Sequence, residues 1–398
     1  MDTIAEIARE EAVRTAASLR GVLPADLLPL FDASFIRSHL LYDEFVYRLV
    51  LEVTREIGLE DITREPGTPE EIARRAQLAP EAALVPLDWM LRTLAARGLL
   101  DESSARRYAG RGVWPRLDPA VMREEQMRHD ASWAPAYVLA ETVAREYPAF
   151  LRGEATGEDV LFAPRRLRLW IDYFSNDHGL YAVNNRVGAI ALERWLPRAG
   201  AIVLELGGGL ASGTLAVIEH LERRGRLDAI SEYRFTEYVT AFLRRSEQTL
   251  RGRDPRLAGL TFGALDMNRS FAEQGVAPGS VSVIFAVNTL HVARDLEFTL
   301  GEVIRALEPA GRLVISECVL PGPRQPIYTE FVFNLTETFR SPRSHPIYRP
   351  GGGFLTPEQW KAAMEAAGLV DVRLLPDMAR VRERVPEFLL AAIGATRP

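Results

Sequence analysis

The chain has 398 residues and 47% hydrophobic content, enough for two or three domains with a sizeable core and too apolar for a disordered segment. A formal charge of −6 supplies no basic field for nucleic acid or an anionic membrane, and no apolar run approaches the ~18 residues that cross a bilayer. The single cysteine, Cys318, excludes an internal disulfide and a cysteine-rich zinc site; with no basic-then-apolar leader, a cytoplasmic protein is expected.

In chain order, residues 1–110 read as a helical domain. Residues 2–60 carry helical apolar spacing, and Thr68-Pro69-Glu70-Glu71 supplies an N-cap and early acids for a helix that turns at Leu78-Ala79-Pro80 into a second one ending at Arg97. A short hairpin through Leu99-Leu100 and Arg107-Tyr108 completes a winged-helix outline. The second helix presents Val85, Leu87, Trp89, Met90, Leu91 and Leu94 against only Arg92 and Arg97 as basic residues, so packing is expected in place of DNA reading. Residues 111–195 hold aromatic helical stretches and no strand alternation. They are expected to form a helical lid over the ligand edge of a sheet, excluding water and shaping an acceptor pocket. Tyr173 and His178, at the ends of the polar run from 173 to 178, are expected to contact the acceptor; a capped surface loop is the competing reading.

Residues 196–398 read as alternating strands and helices. Ala201 to Leu206 is a buried-strand run that delivers Glu205 into Gly207-Gly208-Gly209. Glycines let backbone approach a ligand, and an acid before them repels a pyrophosphate while attracting an ammonium. S-adenosylmethionine, with a positive amine and sulfonium, suits Glu205, Gly207 and Gly209 better than a dinucleotide does. A second strand from Glu232 ends in Glu237, placed for a ribose diol, and a third from Leu260 to Leu265 ends in Asp266 and Met267, placed for an adenine amine and an adenine face. Strands at 281–287, 311–316, 370–375 and 388–393 follow, giving an α/β, Rossmann-like, doubly wound seven-stranded sheet.

The chemistry is expected past the fourth strand, where Asn288 lies on the cofactor side and His291 opens the turn to a helix. An imidazole can take a proton near neutral pH, although a turn histidine bonded to a carbonyl has the same local pattern. Glu317 ends the fifth strand, a neighbour of the fourth, and can hold the far nitrogen of that imidazole. His291 and Asp295, four apart, can alternatively share a divalent ion, while Asp295 also suits a helix N-terminus. The long stretch 319–354, with Tyr328, Phe331, Asn334, His345 and Tyr348 before Gly351-Gly352-Gly353, reads as an aromatic acceptor wall or as an oligomer contact.

The ordered set of glycine turn, Glu237 and Asp266 resembles the class I S-adenosylmethionine-dependent methyltransferases over about residues 196–398. That resemblance implies a seventh strand lying antiparallel at one edge. The run Asn288 to His291, Asp295-Leu296, Ala310-Gly311 and Gly353 to Pro357 resembles the C-methyltransferase domains of polyketide synthases over about 196–375. It implies a catalytic His291–Glu317 dyad and carbon methylation of an acyl or polyketide-like acceptor in secondary metabolism, either small or carrier-bound. No ketosynthase, acyltransferase or carrier segment accompanies these residues, so the chain is expected to be free-standing or a fragment and to receive a carrier-bound acceptor in trans. The N-terminal region resembles the dimerisation domain of small-molecule O-methyltransferases and implies a homodimer. Those enzymes typically follow the catalytic histidine with aspartate and tryptophan where Val292-Ala293 stands here, leaving oxygen methylation by His291 as the second reading. The same region is similar to polyketide starter-unit methyltransferases that use one metal, which leaves His291 and Asp295 as metal ligands as the third.

Overall fold

The computed structural model describes residues 3–253 and 259–398; Asp2, the first residue of the expected helical stretch, lies outside them. Two compact units are present. One comprises residues 3–16, 32–173 and 322–341, the other residues 17–31, 174–321 and 342–398. Among the described residues, no helix is long and apolar enough to cross a membrane.

The first unit is built on helices. Asp32 caps the helix Ala33–Glu56 by accepting from Phe35 N at 2.8 Å. Thr68 and Glu71 form the reciprocal capping box that starts the helix Pro69–Arg75, and the helix Pro80–Ala96 follows. That second helix buries Leu87, Trp89, Met90, Leu91 and Leu94, while Val85 is exposed. Strands β1 (Leu100–Glu102) and β2 (Tyr108–Gly110) then pair antiparallel. The segment 322–341 folds back into this unit, where Trp89 Nε1 donates to Ile327 O at 3.2 Å and Phe331 packs on Trp89 and Tyr147.

The second unit is built on a sheet of β3 (Ala201–Glu205), β4 (Ile230–Thr236), β5 (Leu260–Gly263), β6 (Val281–Val287), β7 (Leu307–Cys318), β8 (Val370–Leu375) and β9 (Leu390–Thr396), in the order β5-β4-β3-β6-β7-β9-β8. Strands β3 to β7 are mutually parallel; β9 runs antiparallel to both β7 and β8. The antiparallel last strand therefore lies inside the sheet, one place from the edge and not at it as expected. Burial gives the reason. Strand β9 is buried along nearly its whole length and needs neighbours on both sides, whereas β8 exposes Val370, Asp371 and Arg373 and takes the edge. Strand β5 also stops at Gly263, which leaves Asp266 and Met267 in the turn beyond it.

Chain order reverses between β3 and β6, the place where an open α/β sheet leaves a crevice at the carboxyl ends of its strands. The helix Gly179–Trp195 packs on this sheet. Ser316 Oγ donates to Asn184 Oδ1 at 2.6 Å, and Gly188 keeps the backbones close because a Cβ there would meet Ser316 Cβ at 3.0 Å. At the other end of the helix, Trp195 lies flat against Gly394 of β9. A Gly394→Ala substitution puts a Cβ 2.5 Å from the Trp195 ring, and overpacking of this kind costs about 1–3 kcal/mol. Urea unfolding should show that loss; an unchanged midpoint would contradict the packing.

Candidate active site

The glycine turn follows β3 directly. Gly207 and Gly209 adopt φ of +60° and +55°, in the left-handed region that glycine enters without strain. Gly207 has a second reason to be glycine, since a Cβ would meet Thr289 Cγ2 at 2.5 Å. Gly208 N donates to Thr236 O at 2.9 Å, fixing the turn against the end of β4. Glu237, one residue beyond β4, accepts from Gly209 N at 2.9 Å and from Val239 N at 2.7 Å. The two acids chosen from the sequence thus flank one turn.

Glu205 points beneath that turn. Its Oε2 accepts from Thr214 Oγ1 at 2.5 Å and Tyr233 OH at 2.8 Å, and its side chain is 2% exposed. Thr214 and Tyr233 escaped the sequence reading, because nothing local marks a threonine in a helix's first turn or a strand tyrosine as a carboxylate partner. Burial raises the Glu205 pKa to about 7 against the two hydroxyls that lower it, and Glu237 adds repulsion. Burial likewise raises Glu237, opposed by its backbone N–H donors. Among the described residues no Arg, Lys or His forms an ion pair with either acid.

Strands β6 and β7 carry the second half of the site. Asn288 leaves β6 with φ +49°, donates its N–H to Ser316 O at 2.9 Å and accepts from Cys318 N at 3.1 Å through Oδ1. Its side-chain oxygen is therefore used in holding the strand ends together. The next turn wraps Glu317, which is fully buried: Oε1 accepts from Thr289 N at 3.1 Å and Leu290 N at 3.0 Å, and Oε2 lies 2.8 Å from His291 Nδ1. Thr289 Oγ1 also reaches Gly207 O at 3.2 Å. One chain of hydrogen bonds consequently runs from Glu237 through the glycine turn and Thr289 to Glu317 and His291.

The remaining candidates divide. Asp266 Oδ1 accepts from Asn268 N and Nδ2, Met267 O accepts from Thr299 Oγ1 at 3.0 Å, and Asn268 Oδ1 takes Arg294 N at 2.7 Å, so this turn is tied to the one holding His291. Asp295 accepts from Phe298 N at 3.1 Å as a helix cap and pairs with Arg343 at 2.7 Å. Burial pushes its pKa up, but the Phe298 N–H and Arg343 outweigh that and hold it below the usual range. Among the described residues, no group of three or more His, Cys, Asp or Glu could hold a metal ion. His178 is buried near Ser175, whereas the bond from its polar run to the start of the helix Ser212–Arg223 is made by Asn176, which donates to Ser212 O at 2.7 Å. Tyr173, Tyr328, Phe331 and Asn334 all belong to the first unit and are buried there, Tyr328 OH lying 3.0 Å from His39 Nδ1.

The raised Glu205 pKa fixes a pH dependence. The folded state keeps a proton that the unfolded state releases near 4.5, so the stability that Glu205 contributes is full below that pH, is lost as pH rises towards 7, and levels above. Glu205→Gln should remove that loss, so that between pH 4.5 and 8 the variant gains about 3 kcal/mol of stability relative to the parent. Chemical denaturation from pH 4.5 to 8 checks this; parallel curves for the two proteins would refute it.

No protein-family model matches the chain. It is 30% identical over 250 residues to highly reducing polyketide synthase 2 of Gibberella zeae, a match covering 62% of this chain and 9% of that protein. It is 27% identical over 382 residues to polyketide synthase ThaG of Burkholderia thailandensis, covering 94% of this chain and 6% of that protein. The chain thus spans less than a tenth of the length of either. Among solved structures, the CurJ carbon methyltransferase is similar with a TM-score of 0.76 at 22% identity, over 97% of this chain and 99% of that one. The trans-methyltransferase CalH in complex with SAH is similar with a TM-score of 0.60 at 19% identity, over 90% of each chain. The likeness to CurJ takes in the N-terminal helices as well as the sheet, a wider span than residues 196–375. With its seven strands in the order described, the chain has the class I S-adenosylmethionine-dependent methyltransferase fold, as that carbon methyltransferase does.

Proposed function

We propose that the chain is an S-adenosylmethionine-dependent carbon methyltransferase whose acceptor is an acyl or polyketide-like chain, such as a β-ketoacyl thioester, free or on a carrier protein. The observation that carries this reading is the buried pair of His291 and Glu317, 2.8 Å apart, with the second Glu317 oxygen held by two backbone N–H groups. The polyketide synthase relatives, the CurJ carbon methyltransferase and the SAH complex of CalH support the acceptor class and the cofactor.

The residues suit the cofactor. Gly207 and Gly209 allow close backbone approach, and Glu205 and Glu237 are buried acids without a cation partner among the described residues, a donor set that favours a positively charged ligand. When bound, S-adenosylmethionine supplies an electrophilic methyl group.

On the protein side, Glu317 accepts the Nδ1 proton of His291 and so selects the tautomer with its lone pair on Nε2. That nitrogen takes the α-proton of the acceptor and leaves the C–H electron pair on it as an enolate, the nucleophile that an electrophilic methyl group would require. Glu317 balances the charge of the imidazolium formed. Asp295, already a helix cap paired with Arg343, supports proton transfer over a shared metal ion as the use of His291.

Two sets of variants test the reading. His291→Ala should abolish turnover and leave cofactor affinity intact, and Glu317→Gln should also lose most turnover, because the two backbone N–H groups hold the amide oxygen and its NH2 then faces Nδ1 and selects the wrong tautomer. With a non-methylating cofactor analogue, the acceptor's α-hydrogen should exchange with deuterated solvent only when His291 is present. Methyl transfer to a hydroxyl without such exchange would replace carbon methylation with oxygen methylation. In the second set, Glu237→Ala should lower cofactor affinity about 10- to 100-fold, the worth of a charge-assisted pair of hydrogen bonds. A dissociation constant unchanged by calorimetry would remove Glu237 from the cofactor site.

A further inference from the structure

We propose that Arg349 and Phe354 are positioning residues that seat His291 for proton transfer, Arg349 through the backbone of its turn and Phe354 through its ring. The proposal rests on the reading of His291 as the base. It starts from what one turn of 3-10 helix leaves unfixed: His291 lies in the three-residue 3-10 helix Leu290–Val292, and Glu317 alone would hold only one atom of its ring.

Arg349 is 1% exposed, and both terminal nitrogens of its guanidinium are spent on this turn. Nη1 donates to Ala293 O at 2.7 Å and Nη2 donates to His291 O. Its Nε is buried without a hydrogen-bond partner among the described residues. Burial lowers its pKa to about 10, with Glu317 and Asp295 opposing, so it remains a cation at neutral pH. Burying a guanidinium against carbonyls costs free energy that an apolar side chain would not, which argues that the planar fork is kept for geometry.

The surrounding segment is stapled to the same turn. Arg343 N donates to Arg294 O at 2.6 Å, the Arg343 side chain pairs with Asp295, and His345 and Arg349 close a backbone bridge at 2.7 and 3.0 Å. Gly351-Gly352-Gly353 then let the chain double back, Gly353 at φ +75°, so that Phe354 comes to lie against the same histidine with ring centroids 4.6 Å apart. Two residues flanking one glycine run therefore grip one side chain from its carbonyl and from its ring face.

The test uses Arg349→Met, Arg349→Lys and Phe354→Leu in the whole chain, with two readouts. Arg349→Met should lower kcat about 10- to 100-fold, the cost of a misplaced catalytic group, while KM for S-adenosylmethionine stays at the parent value. Arg349→Lys should recover part of that loss. Nitrogen-detected NMR of histidine-labelled protein, without cofactor or acceptor, should show the His291 ring signals shifted or broadened in Arg349→Met and Phe354→Leu. Unchanged kcat with an unmoved His291 signal overturns the proposal. Should Arg349→Met not fold, the other two variants decide, and parental kcat in both overturns it. If the parent protein methylates no acyl acceptor, the functional reading fails by itself, and the ring signal alone still decides whether Arg349 and Phe354 hold the histidine.

Discussion

The buried carboxylate of Glu317 is the joint on which the second unit's edge depends. Three N–H donors converge on it, two from the backbone after β6 and one from the His291 ring, so the end of β7 and the turn leaving β6 are locked to each other. Only a parallel pair can arrange this, since β6 and β7 then finish at the same edge with Val287 opposite Ser316. Thr289 carries the constraint onward to Gly207, and the glycine turn passes it to Glu237. Shifting β7 by one residue would turn Glu317 to the other face of the sheet, away from these donors.

Much of this was legible before any coordinates, for a physical reason. A buried strand ending in an acid or a glycine is a local pattern, and a doubly wound sheet sends every such ending to one edge, so Glu205, Glu237, His291 and Glu317 could be chosen one by one. What escaped depends on partners distant in sequence. Thr289 is one residue in a turn until Gly207 is seen to leave room for it, and Arg349 is an unremarked arginine until two carbonyls more than fifty residues earlier meet it. Asn288 was placed on the cofactor side, yet its oxygen holds Cys318 N. The place of the last strand was readable in principle, because β8 mixes charged with apolar residues while β9 carries no charge and is apolar up to Thr396. Apolarity measures how many neighbours a strand must have, and the edge went to the strand that needs fewer.

The two buried acids set the unit's electrostatic character. A protein selected for stability alone would put apolar side chains in place of Glu205 and Glu237, or at least pair the acids with arginines, which this chain has in abundance. Hydroxyls and backbone N–H groups hold them instead, keeping the carboxylates in place without cancelling their field. Stability is given up locally, an arrangement often met where binding and folding compete.

Cys318 sits directly after Glu317, fully buried, its N–H bonded to Asn288 and its thiol driven well above the usual range by burial. It is also the chain's only cysteine. Its reaction with a thiol reagent therefore cannot proceed while the joint between β6 and β7 is closed, and no other sulfhydryl competes for the reagent. The molecule carries its own clock for that joint: the labelling rate measures how often this edge of the sheet opens on its own, and ligands that steady the edge slow it.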